Sequence, residues 1–231
     1  MYLYLLINLF SISVPFIASF DKRLNFYKQW KYFFPGMLVT LAFFIAWDVL
    51  FTHLGIWGFN PRYLTGINLI NLPIEEWMFF ITIPYACVFT YVSLNYLINK
   101  DYFGKYQTAI SWVLIIILSF TAVIFYNRLY TSVTFVFTAI FLLIHLYVIK
   151  SKYLGRFYFS YMIILIPFFI VNGLLTGSFI EDEVVWYDDS MNLGIRLFTI
   201  PVEDSIYGML LILMNVTFFE WFISKRSKLV R

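Results

Sequence analysis

The chain has 231 residues, 62% of them hydrophobic and 13% charged, with a mean hydropathy of +0.82. Soluble domains carry about 45–50% apolar and about 25% charged residues, so this composition excludes a secreted globule, a disordered tail and a nucleic-acid binder. The net charge is only +3, from 16 basic and 13 acidic residues, and where these charges lie says more than their sum.

A membrane helix needs about 20 mostly apolar residues to cross ~30 Å of hydrocarbon. Seven stretches meet that need: 2–20, 32–51, 74–98, 107–126, 130–149, 157–177 and 201–223. Lys22 and Arg23 follow the first stretch rather than precede it, so a cleaved signal peptide is not expected. Thirteen basic residues fall on one side of the resulting topology: Lys22, Arg23, Lys28, Lys31, Lys100, Lys105, Lys150, Lys152, Arg156, Lys225, Arg226, Lys228 and Arg231. Only Arg62, Arg128 and Arg196 fall on the other. The positive-inside bias places the N-terminus outside and the C-terminus in the cytoplasm. The long loops 52–73 and 178–200 are then on the outer side.

Two segments repeat. Gly66-Ile67 followed by Pro73-Ile74-Glu75-Glu76 matches Gly194-Ile195 followed by Pro201-Val202-Glu203-Asp204 at a constant offset of 128. Upstream, Asp48 and Thr52 match Asn172 and Thr176 at an offset of 124, and Trp57 and Trp186 precede the two motifs at comparable places. The expected fold is all-α: a polytopic membrane bundle of seven transmembrane helices, made of two three-helix repeats joined by a connecting helix. The first repeat covers 1–98, the connecting helix 99–129, and the second repeat with its cytoplasmic tail 130–231. One connecting helix returns the chain to its starting side, so the repeats are parallel.

Each acidic motif opens the last helix of its repeat. A proline followed by acids is a good helix start, since proline loses no hydrogen bond there and the acids complement the helix dipole. Three features favour function over that bland reading. The motif occurs twice, each occurrence has two adjacent acids, and each leads into an apolar helix where ionisable groups are costly and usually functional. A pair of neighbouring carboxyls can divide the work of proton donor and proton acceptor. Asp48 is a further buried-acid candidate with a neutral counterpart in Asn172, and either could instead bond across a helix interface. Arg62 and Arg196 precede the motifs and can pair with the acids or with lipid headgroups. Glu181, Asp182 and Glu183 read as a solvated loop face, Asp188 and Asp189 as a site-mouth pair, and Glu220 as an interfacial ion-pairing residue. The single Cys87 and the two histidines, His53 and His145, are too few for a usual metal site. Dinucleotide- and phosphate-binding glycine motifs are missing from the sequence.

These motifs in their loop contexts identify a resemblance. The run Val184-Val185-Trp186-Tyr187, Leu193-Gly194-Ile195-Arg196, Ile200-Pro201-Val202-Glu203-Asp204 and Tyr207 resembles the small membrane-integral lycopene cyclase family. So does Gly55-Ile56-Trp57 through Asn60-Pro61 to Leu72-Pro73-Ile74-Glu75-Glu76. That family occurs as two short subunits, as a fused chain, and as the cyclase half of a bifunctional fungal enzyme. The fused form would account for the two repeats. The resemblance implies redox-neutral cyclisation of the linear ends of lycopene to β-ionone rings, giving β-carotene through γ-carotene. It carries the catalytic positions onto Glu75, Glu76, Glu203 and Asp204, with Pro73 and Pro201 shaping the helix starts. Asp48, Trp57, Asn60, Arg62, Asn172, Trp186, Arg196 and Tyr207 are the expected supporting residues. It implies no cofactor and no metal, and as partners the membrane lipid, a long polyene substrate and other carotenoid-pathway enzymes. The expected location is the bacterial inner membrane. Aromatic faces near the acids (Trp47, Trp57, Trp77, Phe79, Phe80, Trp186, Tyr207) suit a carbocation.

Three rival readings fit parts of the sequence. A proton-coupled transporter fits seven helices and intramembrane acids, but few polar residues line the spans. A retinal protein needs a lysine within the last span, and none precedes Lys225 there. A related end-group enzyme, such as a hydratase or a cyclase of longer carotenoids, differs only in product.

Overall fold

The computed structural model describes residues 2–229, with side chains as far as Lys225, and is mostly helical. The tail side chains of Arg226, Lys228 and Arg231 therefore lie outside the described residues. Seven α-helices follow in order: α1 (Leu3–Ala18), α2 (Trp30–His53), α3 (Ile74–Leu97), α4 (Gln107–Ile124), α5 (Leu129–Ile144), α6 (Leu154–Leu175) and α7 (Val202–Leu229). A π-helical turn, His145–Ile149, ends α5. Six segments are long and apolar enough to cross a membrane: Phe26–His53, Ile74–Leu97, Gly104–Ile124, Leu129–Ile149, Leu154–Leu175 and Val202–Lys225. The first helix has 16 residues, about 24 Å at 1.5 Å per residue, and is shorter than the stretch expected from hydropathy.

Outward faces are apolar. Leu6, Phe10, Val14 and Ile17 of α1 are exposed, as are Val113, Ile116, Phe120 and Val123 of α4. Such surfaces suit hydrocarbon rather than water.

The loops that precede α3 and α7 contain short strands that hydropathy does not reveal. The pair β2 (Asn68–Leu69) and β3 (Leu72–Pro73) is an antiparallel hairpin, with Asn68 opposite Pro73 and Leu69 opposite Leu72. The pair β5 (Arg196–Leu197) and β6 (Ile200–Pro201) repeats it, with Arg196 opposite Pro201 and Leu197 opposite Ile200. A two-residue hairpin loop needs positive φ at its first central residue. Ile70 (φ 62°) and Phe198 (φ 58°) supply it, at matching positions and despite their bulk. Each hairpin is closed by the first helical N–H: Ile74 donates to the Ile67 carbonyl at 2.9 Å and Val202 to the Ile195 carbonyl at 3.1 Å. Pro73 and Pro201 are thus the last strand residues, and the helices begin one residue later than a proline-first start would have it. A third pairing joins β1 (Trp57–Phe59) to β4 (Val185–Tyr187).

Two compact units are distinguished. The first comprises Met1–Leu54, Phe59–Leu97 and Leu211–Arg231; the second Gly55–Gly58 and Ile98–Leu210. In the first, Tyr85 is buried among Phe26, Phe33 and Trp30, and its hydroxyl meets Ser19 at 2.6 Å and the Trp30 indole N–H at 3.0 Å. Gly36 lies against Phe218, where a Cβ would strike the phenylalanine side chain. In the second, α4 packs most extensively on α5, and the Ser111 hydroxyl meets that of Tyr158 at 2.6 Å. His145 is fully buried with its Nδ1 2.7 Å from the Ser151 hydroxyl, a packed histidine. Gly155 sits at the start of α6 with its N–H on Gln107 Oε1 at 3.1 Å, and an added Cβ would collide with the backbone of Phe103 and Gly104. Gly155→Val should therefore destabilise the second unit by about 1–3 kcal/mol, read as a lower thermal unfolding midpoint in detergent. An unchanged midpoint would show that the 103–104 backbone yields freely.

Candidate functional site

The two hairpins deliver their acids into buried positions in the same way. Relative exposure is 0% for Glu75 and Glu203, 7% for Glu76 and 4% for Asp204. Because the strand ends at the proline and the helix starts immediately after, both acids of each pair fall in the first helical turn. There they lie under the loop, not on the wall of the span.

In the first unit, Glu75 Oε1 accepts the Thr65 backbone N–H at 2.6 Å. Its other oxygen, Oε2, is buried with no hydrogen-bond partner among the described residues. Glu76 Oε2 accepts the phenol of Tyr4, a residue of α1 that is 1% exposed. Asn8, one turn further along α1, donates to the Glu75 carbonyl at 3.0 Å and accepts the Thr82 hydroxyl at 2.6 Å. This clamp fixes the register of α1 on α3 and so holds the Tyr4 phenol at Glu76. Asp48, 2% exposed on α2, is near enough to Glu76 for the two carboxyls to interact electrostatically.

In the second unit the pattern recurs with more donors. Glu203 Oε1 accepts the Leu193 backbone N–H at 2.8 Å and the Thr131 hydroxyl at 2.6 Å, and its Oε2 is again buried without a partner. Asp204 Oδ1 accepts the phenol of Tyr130, which is 2% exposed. Asp204 Oδ2 accepts the Asn172 amide at 2.7 Å and the Tyr187 phenol at 3.0 Å. Thr65 and Leu193 stand 128 residues apart, as do the acids they bind, while Tyr4 and Tyr130 stand 126 apart in the first helix of each repeat.

Of the expected supporting residues, several do reach the acids. Asp48 stands by Glu76, Asn172 bonds Asp204, and Trp57 and Tyr207 lie in the aromatic cluster around Tyr130. Pro73 and Pro201 shape the hairpins. Others do different work. Asn60 caps a short turn by accepting the Arg62 N–H at 3.0 Å, and the Arg62 guanidinium lies over Tyr63. Trp186 is 40% exposed and covers Gly58, where no Cβ would fit. Arg196 donates to Asp189 at 2.6 Å and to the Thr199 carbonyl at 2.7 Å, so its salt bridge is with the loop rather than with a motif acid. Partial burial works against the charge on Asp189. The hydrogen bonds from Asn192 and Arg196, with Arg196's positive charge, outweigh it and hold the carboxyl below the usual carboxylate range. Glu181, Asp182 and Glu183 are exposed, as a solvated loop face requires. Glu220 accepts the Tyr91 phenol at 2.8 Å.

Tyr4, Tyr130, Asn8, Thr131 and Tyr187 escape reading along the chain, because each comes from an element remote in sequence from its acid. The one available signal was the repeat itself: extending it to the first helices aligns Tyr4 with Tyr130. Chemically, each site offers a buried carboxyl with one unoccupied oxygen beside a second carboxyl held by a phenol. Such a pair can divide proton donation and proton acceptance between its members. Asn8→Leu should remove the clamp between α1 and α3 and leave the Thr82 hydroxyl without this acceptor. The expected loss is about 1–3 kcal/mol, measured as a lower thermal midpoint, and no loss would mean that the clamp does not hold α1.

The family model described as lycopene cyclase matches residues 1–94 and 127–222 of the chain. No curated protein and no solved structure matches it.

Proposed function

The chain belongs to the lycopene cyclase family, and from that premise we propose that it closes β-ionone rings at the linear ends of lycopene by acid–base catalysis at Glu75, Glu76, Glu203 and Asp204. The observation that carries this reading is the twofold occurrence of a buried carboxylate oxygen without a partner, on Glu75 and on Glu203, each beside a second buried acid. A buried polar group left unbonded is costly and usually has a role.

The chemistry needs little more. A carboxyl donates a proton to the terminal double bond, whose π pair forms the new C–H bond and leaves a tertiary carbocation. The neighbouring double bond supplies the pair that closes the ring. A carboxylate then takes a ring proton, and that C–H pair becomes the ring double bond. One proton enters and one leaves, so the reaction is an isomerisation, and the proton lost sets the ring type. β-Carotene through γ-carotene is the product sequence we assign. The phenols of Tyr4 and Tyr130 donate to Glu76 and Asp204 and orient those carboxyls.

The substrate is a polyene that partitions into the bilayer, and the protein is a membrane protein with six apolar helices long enough to cross it. We read α1 as the seventh crossing, shortened but apolar outward, with the N-terminus outside, the C-terminus cytoplasmic and the bacterial inner membrane as the site. Other enzymes of the carotenoid pathway are the natural partners of such a step.

Positioned general acids and bases contribute about 10²–10⁴-fold in rate. Replacing Glu75, Glu76, Glu203 or Asp204 by Gln or Asn, one at a time in cells that accumulate lycopene, should cut cyclic product by a factor in that range. Chromatography of the extracted pigments reads the result. Parental amounts of β-carotene from all four variants would sink the catalytic assignment.

A further inference from the structure

Around Asp204 the second unit gathers four aromatic rings from four separate parts of the chain: Trp57 of β1, Tyr130 of α5, Tyr187 of β4 and Tyr207 of α7. Tyr130 and Tyr187 are stacked, 5.7 Å between centroids at 16°. Trp57 stands edge-on to Tyr130 at 5.1 Å and 76°, and to Tyr207 at 6.1 Å and 79°. Tyr207 makes 67° with Tyr130. The rings thus take up three nearly perpendicular orientations, the corner of a box. Trp57 is 5% exposed and Tyr130 2%.

Hydrophobic packing alone does not require this arrangement, because two of the four rings carry hydroxyls spent on one carboxylate. Asp204 receives three hydrogen bonds, from Tyr130, Tyr187 and Asn172. Those three donors hold the carboxylate in place beside the rings. A fixed anion beside perpendicular aromatic faces is how proteins recognise a large, soft, weakly hydrated cation. The first repeat is built differently: the residue 128 positions before Tyr207 is Phe79, tilted at 58° to Tyr4, and Asp48 takes the place of the neutral Asn172.

We propose that Trp57, Tyr130, Tyr187 and Tyr207 form, with Asp204, a subsite for the carbocation of the cyclising polyene end. This rests on the cyclase reading. From protonation of the terminal double bond to loss of the ring proton, the substrate carries one positive charge, which moves from the tertiary carbon to the ring when the ring bond forms. The box holds that charge throughout both positions. It offers no good nucleophile, so the cation is neither hydrated nor esterified before it loses its proton. The rings act on a charge present only after protonation, so they affect turnover and not ground-state binding.

Fluorination tests this directly, because each fluorine weakens the negative face of an indole while scarcely changing its volume. Mono-, di- and trifluorotryptophan are placed at position 57 of the full chain in lycopene-loaded vesicles, and the same series is placed at Trp112, half-exposed on α4. The expected result is a stepwise fall in kcat with fluorine count at 57, reaching about tenfold, with KM unchanged and the Trp112 series flat. A flat series at 57, an effect on KM alone, or an equal fall at 112 would overturn the subsite while leaving the cyclase reading intact. If the parental chain forms no cyclic product from lycopene in the same vesicles, the cyclase reading fails and the subsite falls with it.

Discussion

An acid carried into the apolar part of a membrane protein must find donors there, and the rest of this structure is arranged around that need. Leaving an ionisable group unsatisfied at such depth costs several kcal/mol. The chain meets the need twice with the same parts. A hairpin brings a backbone N–H back over the first acid, and the first helix of the repeat brings a phenol to the second. The hairpin tip is forced into positive φ at Ile70 and Phe198, residues that adopt it reluctantly. The chain tolerates that strain because the hairpin sets the direction in which Pro73 and Pro201 enter the helices. One oxygen of each first acid is buried without a hydrogen-bond partner among the described residues, and that is where we place the chemistry.

The two sites have diverged within a common plan. The Glu76 site has a third carboxyl beside it in Asp48, whereas the Asp204 site has the amide of Asn172 and a second phenol, from Tyr187. A carboxyl neighbour adds like charge; an amide or a phenol adds a donor. Changing one residue of this kind in a duplicated site alters which charge the site favours without altering its frame. The aromatic box belongs to the second site, and its Trp57 comes from a loop whose sequence position lies in the first repeat.

Much of this was legible along the chain, for physical reasons. Hydrocarbon demands long apolar runs, so the helices announce themselves, and six are long enough to cross. The acids are conspicuous because charge is so rare between those runs, and the repetition of Gly66-Ile67 and Pro73-Ile74-Glu75-Glu76 at 128 residues exposed the duplication. The family resemblance rested on these same residues. The strands were not legible: pairs two residues long leave no periodicity, and their positive-φ turn positions hold Ile70 and Phe198 rather than the glycine or asparagine that normally marks a hairpin. Arg196 was expected near the acids on sequence proximity, yet Asp189 competes for it within the same loop.

Sequence alone therefore determined the membrane character, the helical class and the repeated acidic motif, because these follow from local composition and spacing. Tertiary structure alone decided who bonds those acids. Tyr4, Tyr130, Thr131, Asn172 and Tyr187 lie from 17 to 74 residues from the carboxylates they meet, and a hydrogen bond depends on distance in space, which spacing along a chain does not encode. The same holds for the rings around Asp204: 23% aromatic content is a property of the sequence, while a perpendicular corner of four rings at one carboxylate is a property of the fold.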